Sequence, residues 1–344
     1  MPHRHLALLA AFVSALLVSV PAAATPMPGN WSTPARALAV GSKPAHSMAA
    51  DPLGNVHIAV AGSATGGIVY LTDAYGGWYH EQVTTNADLD PSIAVDSDGY
   101  VSIAFARTDG VKGIYVASNA TGSWVVDLRH AGADRSPSIA IRGGHVYLAF
   151  KTAANSLMYL SDASGTWKSH VVEAGCCAGA PSLRLTSTGL VRIAYSKLQS
   201  GVARALRFAS RNGSGAWSLQ TIDPSASNDP TLALGQHDDP YVIYVRHLGG
   251  TYYTHREATG SIWTPTRLDA ASHMKPDMEV YYANFYMVYG TSQTLYFTTF
   301  TSGYLSAYVL SNTHNDSNPE FEGSRIIFNR ASGTSGDGIF FTHN

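Results

Sequence analysis

All six tryptophans of the chain stand on a near-regular ladder: Trp31, Trp78, Trp124, Trp167, Trp217 and Trp263, separated by 47, 46, 43, 50 and 46 residues. A period of that length is one supersecondary unit used again and again, and it has to be read before any single element. The approach to each tryptophan repeats as well. Thr72-Asp73-Ala74-Tyr75-Gly76-Gly77-Trp78 aligns with Ser118-Asn119-Ala120-Thr121-Gly122-Ser123-Trp124 and with Ser161-Asp162-Ala163-Ser164-Gly165-Thr166-Trp167. Longer versions end at Trp217 and Trp263, and Gly303-Tyr304 supplies a further copy with tyrosine in the tryptophan place. A second landmark keeps the same period. It is Pro91-Ser92-Ile93-Ala94, Pro137-Ser138-Ile139-Ala140, Pro181-Ser182-Leu183, Pro230-Thr231-Leu232-Ala233, Pro276-Asp277-Met278 and Pro319-Glu320-Phe321, with His46-Ser47-Met48-Ala49 as a degenerate first copy. Both landmarks count seven units.

Each unit holds four strand-like runs. In the second, Ser92–Val95 leads through Asp96-Ser97-Asp98-Gly99 into Tyr100–Ala106, where Val101, Ile103 and Phe105 share one face at the period of two of a strand. Gly113–Ser118 and Trp124–Leu128 follow. Asp-Gly and Gly-Gly dipeptides between short β-rich runs signal hairpins. Four strands per unit, repeated radially, predict an all-β, seven-bladed β-propeller of four-stranded antiparallel blades. The ends complement each other. Trp31–Val40 reads as a fourth strand with nothing before it, and the stretch from Pro319 offers only three: the Phe321 region, Arg325–Asn329 and Gly338–Thr342. Joining them completes the seventh blade and hides both sheet edges.

Composition narrows the function. Only 13% of residues are charged and the net charge is −2, so the basic surface that a nucleic-acid binder needs is missing. Residues 1–24 read as a signal peptide, with Arg4, the apolar run Leu6–Val20 and the small residues Ala22-Ala23-Ala24 before the cleavage point. The expected product is a secreted, monomeric propeller over residues 25–344, with no membrane span after cleavage. The sequons at Asn30, Asn119, Asn212 and Asn315 matter only if the source glycosylates.

The turn before each tryptophan resembles the Asp-box of the sialidase-like (BNR-type) propeller superfamily, Ser/Thr-x-Asp-x-Gly-x-Thr-Trp. Ser161–Trp167 is a shortened relative, and Ser210-Arg211-Asn212-Gly213-Ser214-Gly215-Ala216-Trp217 keeps full length with asparagine for aspartate. The motif implies structure: a polar side chain gripping the turn, a glycine at positive φ, and a tryptophan stapling neighbouring blades. The resemblance also implies glycans as the ligand class. It does not carry over a sialidase mechanism. Those enzymes have six blades and an arginine motif in the first, whereas this chain counts seven and lacks that motif.

Ligands of propellers are expected on the face formed by loops entering each innermost strand and leaving each second strand. Residues 41–46, 84–90, 130–136, 173–180, 223–229, 269–275 and 311–318 form the first set. At the second set, Arg107, Lys151, Lys197, Arg246 and Arg330 each follow an aromatic residue by one or two positions. They read either as a basic ring for carboxylate or sulfate groups, or as partners of loop acids such as Asp88, Asp90, Asp134 and Asp229. Asp88 with Asp90, Asp134 with Arg135, His273 with Lys275, and His314 with Asp316 are the catalytic candidates, either as paired carboxylates of a glycosidase or with a histidine or tyrosine beside an arginine supporting β-elimination from a uronate whose carboxylate the arginine neutralises. His237-Asp238-Asp239 belongs to a turn on the opposite face. No cofactor or metal site is indicated. Cys176-Cys177, the only cysteines, are candidates for a vicinal disulfide in an oxidising compartment. The function expected from these residues is carbohydrate binding. The rivals are a glycoside hydrolase or polysaccharide lyase on an acidic glycan, and a protein-interaction scaffold.

Overall fold

The computed structural model describes residues 31–344 apart from 40–43, 63–65, 199–203, 226, 247–248, 257–259, 270–273, 282–283, 291–293, 302–303, 312–314 and 332–336. The expected signal peptide, His273 and His314 therefore lie outside the described residues, as do the side chains of Asp229, Lys275 and Tyr304. Seven antiparallel four-stranded sheets form the propeller, with no helix among the described residues. Blades one to six each run in sequence order from the innermost strand outward. The innermost strands begin at His46, Asp88, Arg135, Ser182, Ser227 and Met274. Blade seven takes three strands from Asn315–Glu322, Arg325–Ala331 and Gly338–His343, and its fourth from Ala35–Ala39. The seam continues past the ladder, where Ser32 N–H donates to the His343 carbonyl at 2.7 Å.

The tryptophans act between blades. Each half-buried indole packs against the third strand of the blade before it. Trp31 meets Phe297 edge-on at 4.9 Å, Trp78 meets Phe341 at 5.2 Å, Trp124 meets Tyr70 at 5.2 Å, Trp217 meets Tyr159 at 5.4 Å and Trp263 meets Phe208 at 5.2 Å. The T-shaped geometry places a ring edge on a π face, the favourable arrangement for such pairs. Trp167 packs instead against a largely aliphatic cluster shared by blades two and three, and Arg129 covers that indole at 4.6 Å. In the turns, Asp73, Asn119 and Asp162 each accept the backbone N–H that opens the second strand, from Val56, Val101 and Val146 at 2.6–2.8 Å. Gly76, Gly122 and Gly165 turn the chain there at φ of 79–87°.

The Pro-Ser landmark stitches the ring around the central channel. The side chains of Ser47, Ser92, Ser138 and Ser182 accept from the N–H of Ile93, Ile139, Leu183 and Leu232, one blade further on. Asp277 and Glu320 do the same for Phe321 and Met48, closing the circle. Thr231 differs and donates its hydroxyl to the Pro276 carbonyl.

The innermost strands start earlier than the sequence suggests. Asp88 and Asp90 belong to Asp88–Val95, Arg135 to Arg135–Arg142, Asp229 to Ser227–Leu234, Lys275 to Met274–Tyr281 and Asp316 to Asn315–Glu322. These residues sit on strands and not in loops. A bulge between Leu89 and Ser92 takes up Asp90 and Pro91, and the same irregularity recurs between Arg135 and Ser138. Proline lacks the N–H that a ladder needs, so a bulge is where a strand tolerates it.

Candidate binding face

The five strand-end cations all reach the face where innermost strands begin, but four of them are held by acids. Arg107 donates Nε and Nη2 to the two oxygens of buried Asp88 at 2.8 and 3.0 Å, and Thr84 adds its hydroxyl to the same carboxylate. Arg330 grips buried Asp316 in the same forked way, at 2.8 Å twice. The other two pairs cross blades. Arg246 Nε reaches Asp223 Oδ2 at 2.7 Å, and the Tyr244 hydroxyl joins at 2.6 Å. Lys197 and the Tyr195 hydroxyl both donate to Glu173, on the outer strand of blade three. Despite the cost of burial, these donors hold the Asp223 and Glu173 carboxyls below the ordinary carboxylate range. Burial and the neighbouring Glu173 push the Tyr195 hydroxyl far up, so it stays a phenol.

Aromatic faces lie beneath the arginines. Arg107 stands 4.2 Å from the centre of Tyr115, Arg246 4.0 Å from Tyr252 and Arg330 4.5 Å from Phe340. Each guanidinium is thus clamped by a carboxylate and a ring.

Blade three departs from this pattern. Among the described residues Lys151 has no acid partner, and neither has Arg135, the residue opposite it in the ladder. Both are partly exposed. At the same corner, His130 Nδ1 lies 2.6 Å from Asp134 Oδ2, and the imidazole packs on Phe150 at 5.1 Å. Asp134 Oδ1 also accepts the Ala153 N–H just beyond Lys151. Asp90 is not near this histidine. It binds the N–H and hydroxyl of Ser136 in the next blade, as a staple. Asp238, on the opposite face, likewise ties Ser187 of the preceding blade. Among the described residues no group of three His, Cys, Asp or Glu is arranged to hold a metal ion. His130, Glu173 and Asp223 were not among the sequence candidates. An acidic residue recurring at the end of an outer strand (Glu173, Asp223) was the available signal.

The channel behind this face is a cavity of about 840 Å3 lined by all seven innermost strands. Its wall is uneven. Inward positions carry serine or alanine around blades one to three, whereas blades six and seven place Asp277, Glu279, Glu320 and Glu322 there, with Arg184 coming from blade four. Alternation at a period of two made this legible in Asp277-Met278-Glu279 and Glu320-Phe321-Glu322.

No protein-family description matches the chain, and no curated protein matches it either. Solved structures do. Virginiamycin B lyase from Staphylococcus aureus aligns with a TM-score of 0.60 at 12% identity, over 91% of this chain and 99% of its own. An ulvan lyase of a polysaccharide lyase family aligns with a TM-score of 0.61 at 11% identity, over 84% and 89%. The SapL1 lectin, solved in complex with alpha methyl fucoside, aligns with a TM-score of 0.55 at 12% identity, over 81% and 99%. At these identities the likeness establishes the β-propeller fold, shared by lyases and lectins alike, and a shared fold does not assign an activity.

Proposed function

We propose that the chain is a secreted, monomeric carbohydrate-binding propeller that takes an acidic glycan at the corner formed by Arg135, Lys151 and His130. The carrying observation is the contrast between blades. Four strand-end cations are neutralised by buried or largely buried carboxylates, and one is not. An anion meeting Arg107 or Arg330 would have to displace a forked carboxylate, whereas Arg135 and Lys151 face each other with no acid paired to either among the described residues, the nearby Asp134 being engaged by His130 and the Ala153 N–H. Like charges opposite each other on a sheet are unfavourable, and a bound carboxylate or sulfate relieves the repulsion while accepting charge-assisted hydrogen bonds. The lectin and polysaccharide lyase among the similar structures support a glycan as the ligand class. So does kinship with the sialidase-like propellers suggested by the turn motif.

The test compares glycans carrying carboxylate or sulfate with neutral ones, by array and then by calorimetry. Arg135→Ala/Lys151→Ala abolishes binding of the acidic ligands, with at least a tenfold loss, and leaves the melting temperature in place. Retained affinity in that double variant ends the proposal.

One observation favours a second reading, cleavage by β-elimination. Asp134 fixes His130 through Nδ1, which leaves Nε2 as a candidate base, and the cations beside it would stabilise a uronate enolate. A histidine-to-alanine variant of virginiamycin B lyase is described as catalytically inactive. Incubating any bound uronic-acid polysaccharide and following the absorbance of an unsaturated product separates the two. His130→Ala removes that signal if His130 is the base, and no signal from the intact protein leaves binding alone.

A further inference from the structure

Cys176 and Cys177 lie in the connection from Lys168–Glu173 to Ser182–Leu185, the longest fully described connection into an innermost strand. Both side chains are fully buried among Leu157, Tyr159, Leu183 and Tyr195, where blades three and four meet. The two sulfurs are 2.9 Å apart, in direct contact. The backbone around them is pinned on both sides. Cys177 N–H donates to the Asn155 carbonyl at 2.6 Å, Leu198 N–H to the Cys176 carbonyl at 2.5 Å and Ala178 N–H to the Ser196 carbonyl at 3.0 Å. The segment is therefore an extra rung added to the end of Val191–Leu198, the strand that carries Lys197. Glu173, which holds Lys197, begins it.

We propose that Cys176 and Cys177 are a redox-active pair that closes a vicinal disulfide and thereby fixes the 174–181 segment against the end of blade four. The chain has no third cysteine, so the only internal partner each sulfur has is the other. Either sulfur can donate in this contact, and Cys176 Sγ also donates to the Glu173 carbonyl at 3.2 Å. The neighbouring Cys177 lowers the Cys176 thiol and is itself raised, which favours Cys176 as the attacking sulfur. Oxidation proceeds by exchange with an external disulfide such as oxidised glutathione. The Cys176 thiolate attacks one oxidant sulfur and releases the first thiol. Cys177 then loses its proton, attacks Cys176 and releases the second. Two S–H bonds and one S–S bond break, one S–S bond forms within the chain, and the oxidant leaves as two thiols. A ring between neighbouring residues removes almost no chain entropy from the unfolded state. Its effect is therefore local, on the loop and on the Glu173–Lys197 pair, and not on global stability.

Because both sulfurs are buried, exchange is run during refolding. The full chain is refolded with oxidised and reduced glutathione, quenched in acid, denatured and treated with iodoacetamide without reductant. The expected mass is two hydrogens below the reduced chain with no alkyl group, and two alkyl groups after reduction. Cys177→Ser under the same treatment carries one alkyl group or one glutathione. Two alkyl groups on the unreduced wild type, or glutathione retained on either cysteine, overturn the proposal. Hydrogen exchange gives an independent reading. Oxidation should slow exchange at the Cys177 and Ala178 amides and leave the Ile93 and Ile139 amides, in the channel ring, unchanged.

Discussion

The rim shows how little a charged residue reveals until its partner is known. Arg107 follows Phe105 by two positions, as Arg246 follows Tyr244 and Arg330 follows Phe328, and that regularity is visible in the sequence. What each guanidinium does depends on a carboxylate that sequence distance does not identify. Asp88 and Asp316 come from the same blade, but Asp223 and Glu173 come from the blade before. Asp88→Ala leaves a partly buried guanidinium against the rings of Phe105 and Tyr115 with no anion. Removing one partner of such a pair costs about 3–5 kcal/mol, because the surviving charge stays desolvated, and urea unfolding should register that loss. Replacing both, with Asp88→Leu and Arg107→Met, should restore most of it. A double variant as unstable as the single one would mean that the carboxylate serves Thr84 and the local turn more than the arginine. Lys151→Met, by contrast, should cost under about 1 kcal/mol, since no pair is broken. Blade three looked no different in sequence. Its two cations stand out only once Asp134, beside them, is assigned to His130.

At the scale of strands, the alternating runs of each blade were legible and their ends were not. Asp88–Pro91 reads as loop because aspartate and proline are poor strand formers. The structure resolves the conflict with a bulge that leaves Asp90 at a φ of 52° and lets Pro91 sit where no ladder N–H is required. Ser136 before Pro137 repeats it at 54°. The outer strands hide a second bulge. In blade two, Ile114 faces His130 while Tyr115 faces Leu128, so Arg129 is the extra residue. The chain swings inward there, and Gly113 makes room for it. A Cβ on Gly113 would stand 2.3 Å from the His130 carbonyl oxygen. Gly338 has the same relation to Leu38, at 2.2 Å, across the seam of blade seven. Gly113→Ala therefore has to displace backbone, and overpacking of that kind costs about 1–3 kcal/mol. Gly77→Ala meets nothing within 4 Å and needs no positive φ. Thermal melts of the two variants should differ accordingly, with Gly77→Ala at or slightly above wild type. Equal melting temperatures would count against the bulge as the reason for glycine. Since Gly113 also positions His130, its variant should weaken any His130-dependent activity as well.

The ring as a whole concentrates its electrostatic tension in one sector of the channel. Hydroxyls close the joints from blade one round to blade six, but carboxylates close those from blade six to seven and from seven to one. Glu279 also accepts the Gly323 N–H at 2.7 Å, and Glu322 stands in the next blade. Burial raises the Asp277 carboxyl above its ordinary value. Burial, with Asp277 as neighbour, brings Glu279 to about 7, and burial together with Glu279 and Asp277 brings Glu322 to about 8. Arg184 opposes these shifts without cancelling them. A carboxyl whose folded value stands above its unfolded one binds its proton more tightly in the native state. Its contribution is complete below the unfolded value of 4.5 and is lost as pH rises through 7 and 8. The lowered carboxyls of Asp51, Glu173 and Asp223 work the other way, and their contribution disappears only on acidification below about 4. Burial also holds His57 below its usual value, which costs stability as pH falls below the unfolded value of 6.5, so stability should peak between about pH 5 and 6.5 and fall toward pH 8.5. Both glutamates are partly open to the channel, so solvent reduces the effect to about 1–3 kcal/mol, or ~3–8 °C in melting temperature. Glu322→Gln keeps the shape of the side chain and removes the ionisation. It should raise the melting temperature at pH 8.5, leave it unchanged at pH 5 and flatten the alkaline limb. A wild-type melting temperature that climbs from pH 5 to 8.5 would show Asp277, Glu279 and Glu322 to be stabilised as anions, with Arg184 as the dominant neighbour.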